Sequence, residues 1–288
     1  MLVVKATTPN PSSLGEYRER PVVGCGQRPR ATGPDVDRVL VPDRHRDALR
    51  HRRRDQVVAA DSYSTFPAEA PTTELSAYEP NLEAIAGFDP DLVVLAAGGD
   101  IEDQLAEVGI DTLVLDAAVT IDDTYAQIEQ LGALTGHDAD AAQVVADMQH
   151  DIDEIVASVP ATAEPLTYYH ELDDTFYSVT SQTFIGNLLR SARLGEHRRI
   201  RSTTPALGHP QLSAEHIIDA DPDLIFLADT KCCGQTAPPS GTDRVGTRTA
   251  VARGGVVELD DDVASRWGPR VVDLLRTVAS AVAATPAS

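Results

Sequence analysis

The sequence predicts an α/β chain of two similar lobes with parallel sheets, joined by a single long helix. Three observations carry this reading. Residues 82–96, LEAIAGFDPDLVVLA, match residues 214–228, AEHIIDADPDLIFLA, at 8 of 15 positions without a gap, 132 residues apart. Each copy reads as an amphipathic helix, a proline turn and an apolar run suited to a buried parallel strand. Between the copies, Val144, Val145, Met148, Ile152, Ile155 and Val156 fall on one face at helical spacing. That stretch is about six turns long, enough to run from one lobe to the next.

In both copies Asp-Pro-Asp marks the step from helix to strand, because a residue before proline avoids the right-handed helical region. A loop follows each strand: Ala97-Gly98-Gly99-Asp100 in the first copy and Asp229 to Gly234 in the second. A further strand opens at Leu166 to His170, and an amphipathic helix closes the chain from Pro269 to about Ala284. The domain reading is therefore an N-terminal lobe over 56–135, a linking helix over 136–160 and a C-terminal lobe over 161–288.

Residues 1–55 stand apart. They hold 12 Lys/Arg and 7 Asp/Glu, a net of +5, whereas residues 56–288 hold 12 and 38, a net of −26. The run from Asp43 to Asp55 has neither helical nor strand periodicity. With GC-rich codons, a one-base shift turns it into an Ala/Thr/Leu-rich helix ending at glycine. The segment is thus expected to be a disordered basic arm or a stretch read in the wrong frame, and in either case to pack poorly.

Composition excludes several classes. A formal net charge of −21 over 288 residues repels a phosphate backbone, so no nucleic-acid partner is expected. Only 2 of the 24 basic residues are lysine, and an acidic, lysine-poor, alanine-rich surface suits very high salt. No apolar stretch approaches the roughly 20 residues that span a bilayer. Cys25 stands alone and Cys232 and Cys233 are neighbours, which rules out a disulfide framework. Met1-Leu-Val-Val-Lys5 is too short for a signal-peptide core, and Val22-Val-Gly-Cys25 lacks the apolar stretch of a lipid-attachment site.

Catalytic signatures are poor: no GxGxxG after a strand, no Walker loop, no nucleophile elbow and no HExxH. The eight histidines show no ligand-like spacing, so no resident metal or cofactor is expected, and His170 and His209 read as polar cleft or surface residues. Gly98-Gly99 reads as a tight turn with exposed amides. The crevice at the carboxyl ends of strands is the default ligand site of such lobes. Near those ends lie Tyr63, Phe66 and Tyr78 in the first lobe, and Phe176, Tyr177 and Trp267, the only tryptophan, in the second. Aromatic groups on the loops of so polar a chain either cover something flat and apolar or form satellite core.

Ser62-Tyr-Ser-Thr-Phe-Pro67, Asn81-Leu-Glu-Ala-Ile85 with Asp89-Pro-Asp-Leu92, His209-Pro-Gln-Leu-Ser213 with Glu215, and Asp260 to Arg270 occur in this order. Together they resemble the class III substrate-binding proteins of ABC importers, the cobalamin (vitamin B12) binders above all, with Fe(III)-siderophore and haem binders as relatives. The resemblance covers roughly 56–288. It implies two Rossmann-like lobes joined by one rigid helix, a ligand cleft between them, and no covalent chemistry. It implies ligand contact for Tyr63, Tyr78, Phe176, Tyr177, His209, Arg266 and Trp267, and the neighbouring Phe66, Gly98 and Gly99 complete the candidate ligand-binding set. Tyr78 and His209 stand where cobalamin binders often carry tryptophan. The resemblance also implies a permease dimer as partner, with Glu83 and Glu215 docking onto it. It implies an extracytoplasmic location, with membrane contact only through the transporter or an anchor, although neither secretion signal nor anchor is visible. The family's first strand and helix belong where the basic run sits, and Thr236 to Arg248 lacks the expected helix start, which suggests a second reading error. The cargo read from the resemblance is cobalamin, with an Fe(III) complex or haem as the alternative. A two-lobe α/β enzyme using Asp229 or His170 as acid–base group is the rival from another class.

Overall fold

Residues 1–4, 56–162, 164–196, 208–231, 248–264 and 266–285 are described by a computed structural model. They form two units: Met1–Ala117 with Ala126–Val144, and Ala118–Tyr125 with Val145–Ser288. The first contains β1 (Leu2–Val4), β2 (Val57–Ala60), α1 (Leu82–Ala86), β3 (Leu92–Leu95), α2 (Asp100–Glu107) and β4 (Asp111–Val114). Its sheet runs β2-β1-β3-β4. Asn81 starts α1 by accepting the Ala84 amide on its side-chain oxygen at 2.9 Å. Ile85 then anchors α1 in a core with Val3, Ala59, Val93 and Leu105, all fully buried.

The helices α3 (Ile121–Thr135) and α4 (Asp138–Ser158) follow, and both pass from one unit into the other. On α4 the predicted apolar face is the buried one: Val144, Val145, Met148 and Ile155 are buried, and Ile152 and Val156 are half-buried. The second unit adds β5 (Thr167–Glu171), α5 (Phe184–Ser191), β6 (Gly195–Glu196), α6 (Ala214–Ala220) and β7 (Leu224–Leu227). It ends with α7 (Arg248–Arg253), β8 (Val256–Glu258), α8 (Asp261–Ala264) and α9 (Val271–Ala284). Its sheet runs β6-β5-β7-β8 and every pairing is parallel. All four residues of β7 are buried, as the continuous apolar run Leu-Ile-Phe-Leu requires.

Several expectations need correction. Met1–Val4 do not pack poorly: β1 pairs antiparallel with both β2 and β3, and Val3 and Val4 are fully buried. Four consecutive apolar residues with neighbours on both edges satisfy their backbone groups and bury their side chains at once. The first sheet is consequently mixed rather than parallel, with only β3 and β4 aligned in parallel. The rest of the basic segment, residues 5–55, lies outside the described residues, as do Cys25, Cys232, Cys233 and the suspect stretch 236–247.

The chain also crosses between units more than once, because Ala118–Tyr125 belongs with the second. Asp123 accepts the Val119 and Thr120 amides at 3.0 and 2.7 Å, capping α3. Asn187 of α5 donates to the Val119 carbonyl at 3.2 Å and fastens that turn to the second unit. Among the described residues no helix is long and apolar enough to cross a membrane.

Candidate functional site

In the first unit, the loop after β2 is built on Asp61. This buried carboxylate accepts the Tyr63 and Ser64 amides on Oδ1, at 2.8 and 3.1 Å, and meets the Met1 amine through Oδ2. The Ser62 amide donates to the Leu75 carbonyl at 3.1 Å, closing the loop on itself. Ser76 Oγ accepts the Tyr78 and Glu79 amides at 3.2 and 3.0 Å. These two turns bring the rings of Tyr63 and Tyr78 together edge to face, with centroids 5.8 Å apart and planes at 89°. Both rings face water, Tyr63 at 58% and Tyr78 at 83% exposure, so the pair is not satellite core. Phe66, which precedes a cis proline, is also exposed. Gly98 and Gly99 form the exposed turn from β3 into α2, where Gly99 takes φ +141°, a conformation that disfavours any side chain.

In the second unit, residues 176–180 and 208–212 lie antiparallel. Amides of Leu212, Ser178 and Thr180 donate to the carbonyls of Phe176, Pro210 and Gly208, at 3.0, 2.9 and 2.9 Å. This ladder gathers Phe176, Tyr177 and His209, three predicted contacts drawn from segments far apart in sequence. Asp173 Oδ1 shapes the preceding turn, accepting from the Thr175 amide and hydroxyl at 2.9 and 2.6 Å. Burial opposes ionisation of Asp173, but the bonds from Thr175 and Tyr177 outweigh it and hold the carboxyl below its usual range. Phe176 sits at φ 67° and packs half-buried against a core with Tyr169, Ile217 and Ile225, whereas Tyr177 and His209 are exposed. Phe176 therefore serves the core as well as the surface.

His170 is the main departure. It was expected at a cleft or surface, yet it is fully buried on β5, with both ring nitrogens lacking a hydrogen-bond partner among the described residues. Parallel pairing with Phe226 places these two rings on one sheet face, centroids 6.3 Å apart. Tyr169 and Glu171 occupy the other face, because side chains alternate along a strand. Burial, and then the neighbouring His209, lower the His170 pKa to about 4. On the opposite face, burial and the Glu171, Asp229 and Asp173 carboxylates push the Tyr169 hydroxyl far above its ordinary range.

The loops after β7 and β8 are joined by charge. Lys231 Nζ reaches Asp260 Oδ1 at 2.8 Å and Asp262 Oδ2 at 2.9 Å, and Arg266 reaches Asp262 Oδ1 at 3.0 Å. Trp267 follows, half-buried. Glu83 and Glu215 are both exposed and both stand second in their helices, after the caps Asn81 and Ser213. Among the described residues no group of three or more His, Cys, Asp and Glu could hold a metal ion.

Residues 46–263 match the family described as periplasmic binding protein. The chain belongs to that family. A cobalamin-binding protein of Halobacterium salinarum is 32% identical over 79% of this chain and 64% of its own length. The present chain thus spans a little under two thirds of that relative. Among solved structures, the periplasmic vitamin B12-binding protein BtuF of Vibrio cholerae has a TM-score of 0.58 at 20% identity, covering 78% of this chain and 88% of that one. The periplasmic haem-binding protein HutB of the same organism has a TM-score of 0.65 at 17% identity, covering 78% and 90%. These likenesses establish the two-lobed α/β fold of this binding protein.

Binding proteins are not enzymes, and the enzyme rival loses its basis. Its two named acid–base candidates, His170 and Asp229, are both fully buried. The residues that sequence reasoning missed are the ones that place the candidate contacts: Asp61 for Tyr63, Ser76 for Tyr78, Asp173 for Tyr177, and Asp262 for Arg266. The first three are Asp or Ser two to four residues ahead of the aromatic, a turn signature present in the sequence.

Proposed function

We propose that this chain is the extracytoplasmic substrate-binding protein of an ABC importer and that its cargo is cobalamin. The observation that carries the cargo is the 32% identity to a cobalamin-binding protein across 79% of the chain. The chemistry agrees with it. Tyr63 and Tyr78 on one unit, and Tyr177 on the other, offer exposed aromatic surface held in place by turn hydrogen bonds. Aromatic groups fixed before binding cover a flat macrocycle at small ordering cost. Cobalamin carries no large negative charge, so an acidic protein with a net charge of −21 tolerates it better than an anionic ferric siderophore. In this reading Phe66, Gly98, Gly99, Phe176, His209, Arg266 and Trp267 complete the contacts, and Glu83 and Glu215 dock the protein onto a permease dimer.

The deciding experiment mixes the protein separately with cobalamin, haem and a ferric siderophore, then desalts each mixture. Retained colour with cobalamin alone is the expected result. Retention of haem or siderophore in its place transfers the cargo to the iron branch, and no retained colour sinks the reading.

A further inference from the structure

We infer that Lys231 is a positioning residue for the Arg266–Trp267 loop, acting through the Asp262 carboxylate that it shares with Arg266. The inference rests on the proposed function only where it concerns ligand affinity. Lys231 Nζ straddles Asp260 and Asp262, while its backbone amide donates to Asp261 Oδ2 at 2.9 Å. Thr230 Oγ1 shares its one proton between Asp261 Oδ1 at 2.8 Å and the Leu259 carbonyl at 3.0 Å. Three consecutive aspartates just past β8 are thus all tied to Thr230 and Lys231 in the loop after β7. The far oxygen of Asp262 accepts from Arg266, so one carboxylate links both loops.

The link matters because α8 is only four residues long, and a single helical turn has almost no stability of its own. Val263 and Ala264 anchor it in the core, and a cation offsets the mutual repulsion of the three successive carboxylates at its start. Burial opposes ionisation of Asp260, but Lys231, the Asp262 amide and Arg270 together hold its carboxyl below the usual range, and Asp260 and Asp262 raise the Lys231 ammonium in return. A compact ammonium with three divergent donors suits two diverging carboxylates. Lysine appears only twice in a chain with 24 basic residues, and one copy stands here. Trp267 comes next after Arg266 and precedes Gly268 at φ +158°, outside any helix or strand, so the Asp262–Arg266 pair is a tie on the loop from its upstream side.

Trp267 is the only tryptophan, which makes its fluorescence a local reporter without any ligand. Lys231→Gln is expected to raise acrylamide quenching of Trp267 and lower its anisotropy, with the far-ultraviolet circular dichroism unchanged. Lys231→Arg should restore most of the protection, which a role in folding alone would not explain. Asp262→Asn should reproduce the loosening, and the double variant Lys231→Gln/Asp262→Asn should add nothing to it. Cobalamin affinity should fall roughly three- to fivefold in Lys231→Gln, the scale of one exposed ionic link. Unchanged quenching in both Lys231→Gln and Asp262→Asn overturns the inference. If wild-type protein fails to bind cobalamin, the functional reading fails, and the quenching of the free protein still decides the role of Lys231.

Discussion

Asp89 and Asp221, 132 residues apart, hold the same left-handed backbone conformation, with φ of 50° and 42°. Each precedes the proline of its Asp-Pro-Asp triplet. Proline bars its predecessor from the right-handed helix, and aspartate is among the few residues that enter the left-handed region at modest cost. The repeat therefore conserves a backbone bend as well as letters. At Asp221 the bend closes α6, its amide donating to the Ile217 and Ile218 carbonyls at 3.1 and 3.2 Å.

Replacing Asp221 by valine should destabilise the protein by about 2–4 kcal/mol, the sum of left-handed strain and two lost hydrogen bonds. Those bonds run from the Thr249 amide and hydroxyl to the carboxylate, at 3.0 and 2.7 Å. Asp221→Asn keeps the conformation and an acceptor and should cost less than half as much. Urea unfolding of the two variants at neutral pH makes the comparison.

His170 should make the fold acid-sensitive. Its folded pKa of about 4 lies below the ordinary 6.5, so the folded state favours the neutral ring. Stability is full above pH 6.5, and falls as the unfolded chain takes up its proton first. The loss continues until pH reaches about 4, where the folded protein is protonated too, and amounts to roughly 3 kcal/mol. His170→Phe, beside Phe226, should flatten this part of the urea-midpoint profile between pH 6.5 and 4. Parallel profiles for variant and wild type would show that other groups govern the acid limb.

Tyr78→Ala and Trp267→Ala should each weaken cobalamin binding by roughly 1–3 kcal/mol, the range of aromatic hot spots. Stability should barely change for Tyr78, since it is 83% exposed. Calorimetric titration with cobalamin, beside thermal unfolding of the same samples, separates the two effects. Full affinity in both variants would place the site elsewhere.

The double variant Glu83→Lys/Glu215→Lys should bind cobalamin with wild-type affinity while uptake through the importer collapses. Each carboxylate also sits in the first turn of its helix, where the dipole favours it by about 0.3–1 kcal/mol. A small loss of stability is therefore expected and can be measured independently. Normal uptake by this variant would remove the docking role.

What the chain carries locally could be read from its letters. The α4 face of Val144, Val145, Met148 and Ile155, the buried runs at Leu92–Leu95 and Leu224–Leu227, and the Asp-Pro-Asp bends depend on periodicity and backbone sterics within a few residues. The aromatic candidates were legible for a related reason, since large rings are conspicuous in a polar loop.

Tertiary structure alone decided which distant segments meet. Met1–Val4 became the strand between β2 and β3 because two apolar edges were there to receive it, and no local pattern announces such a slot. Ala118–Tyr125 belongs with the second unit, where the Asn187 side chain, 68 residues on from Val119, donates to the Val119 carbonyl. His170 is buried because its strand lies inside a four-stranded sheet, with β6 on one side and β7 on the other. A polar letter reports the cost of burial, whereas the neighbours that impose burial come from elsewhere in the chain.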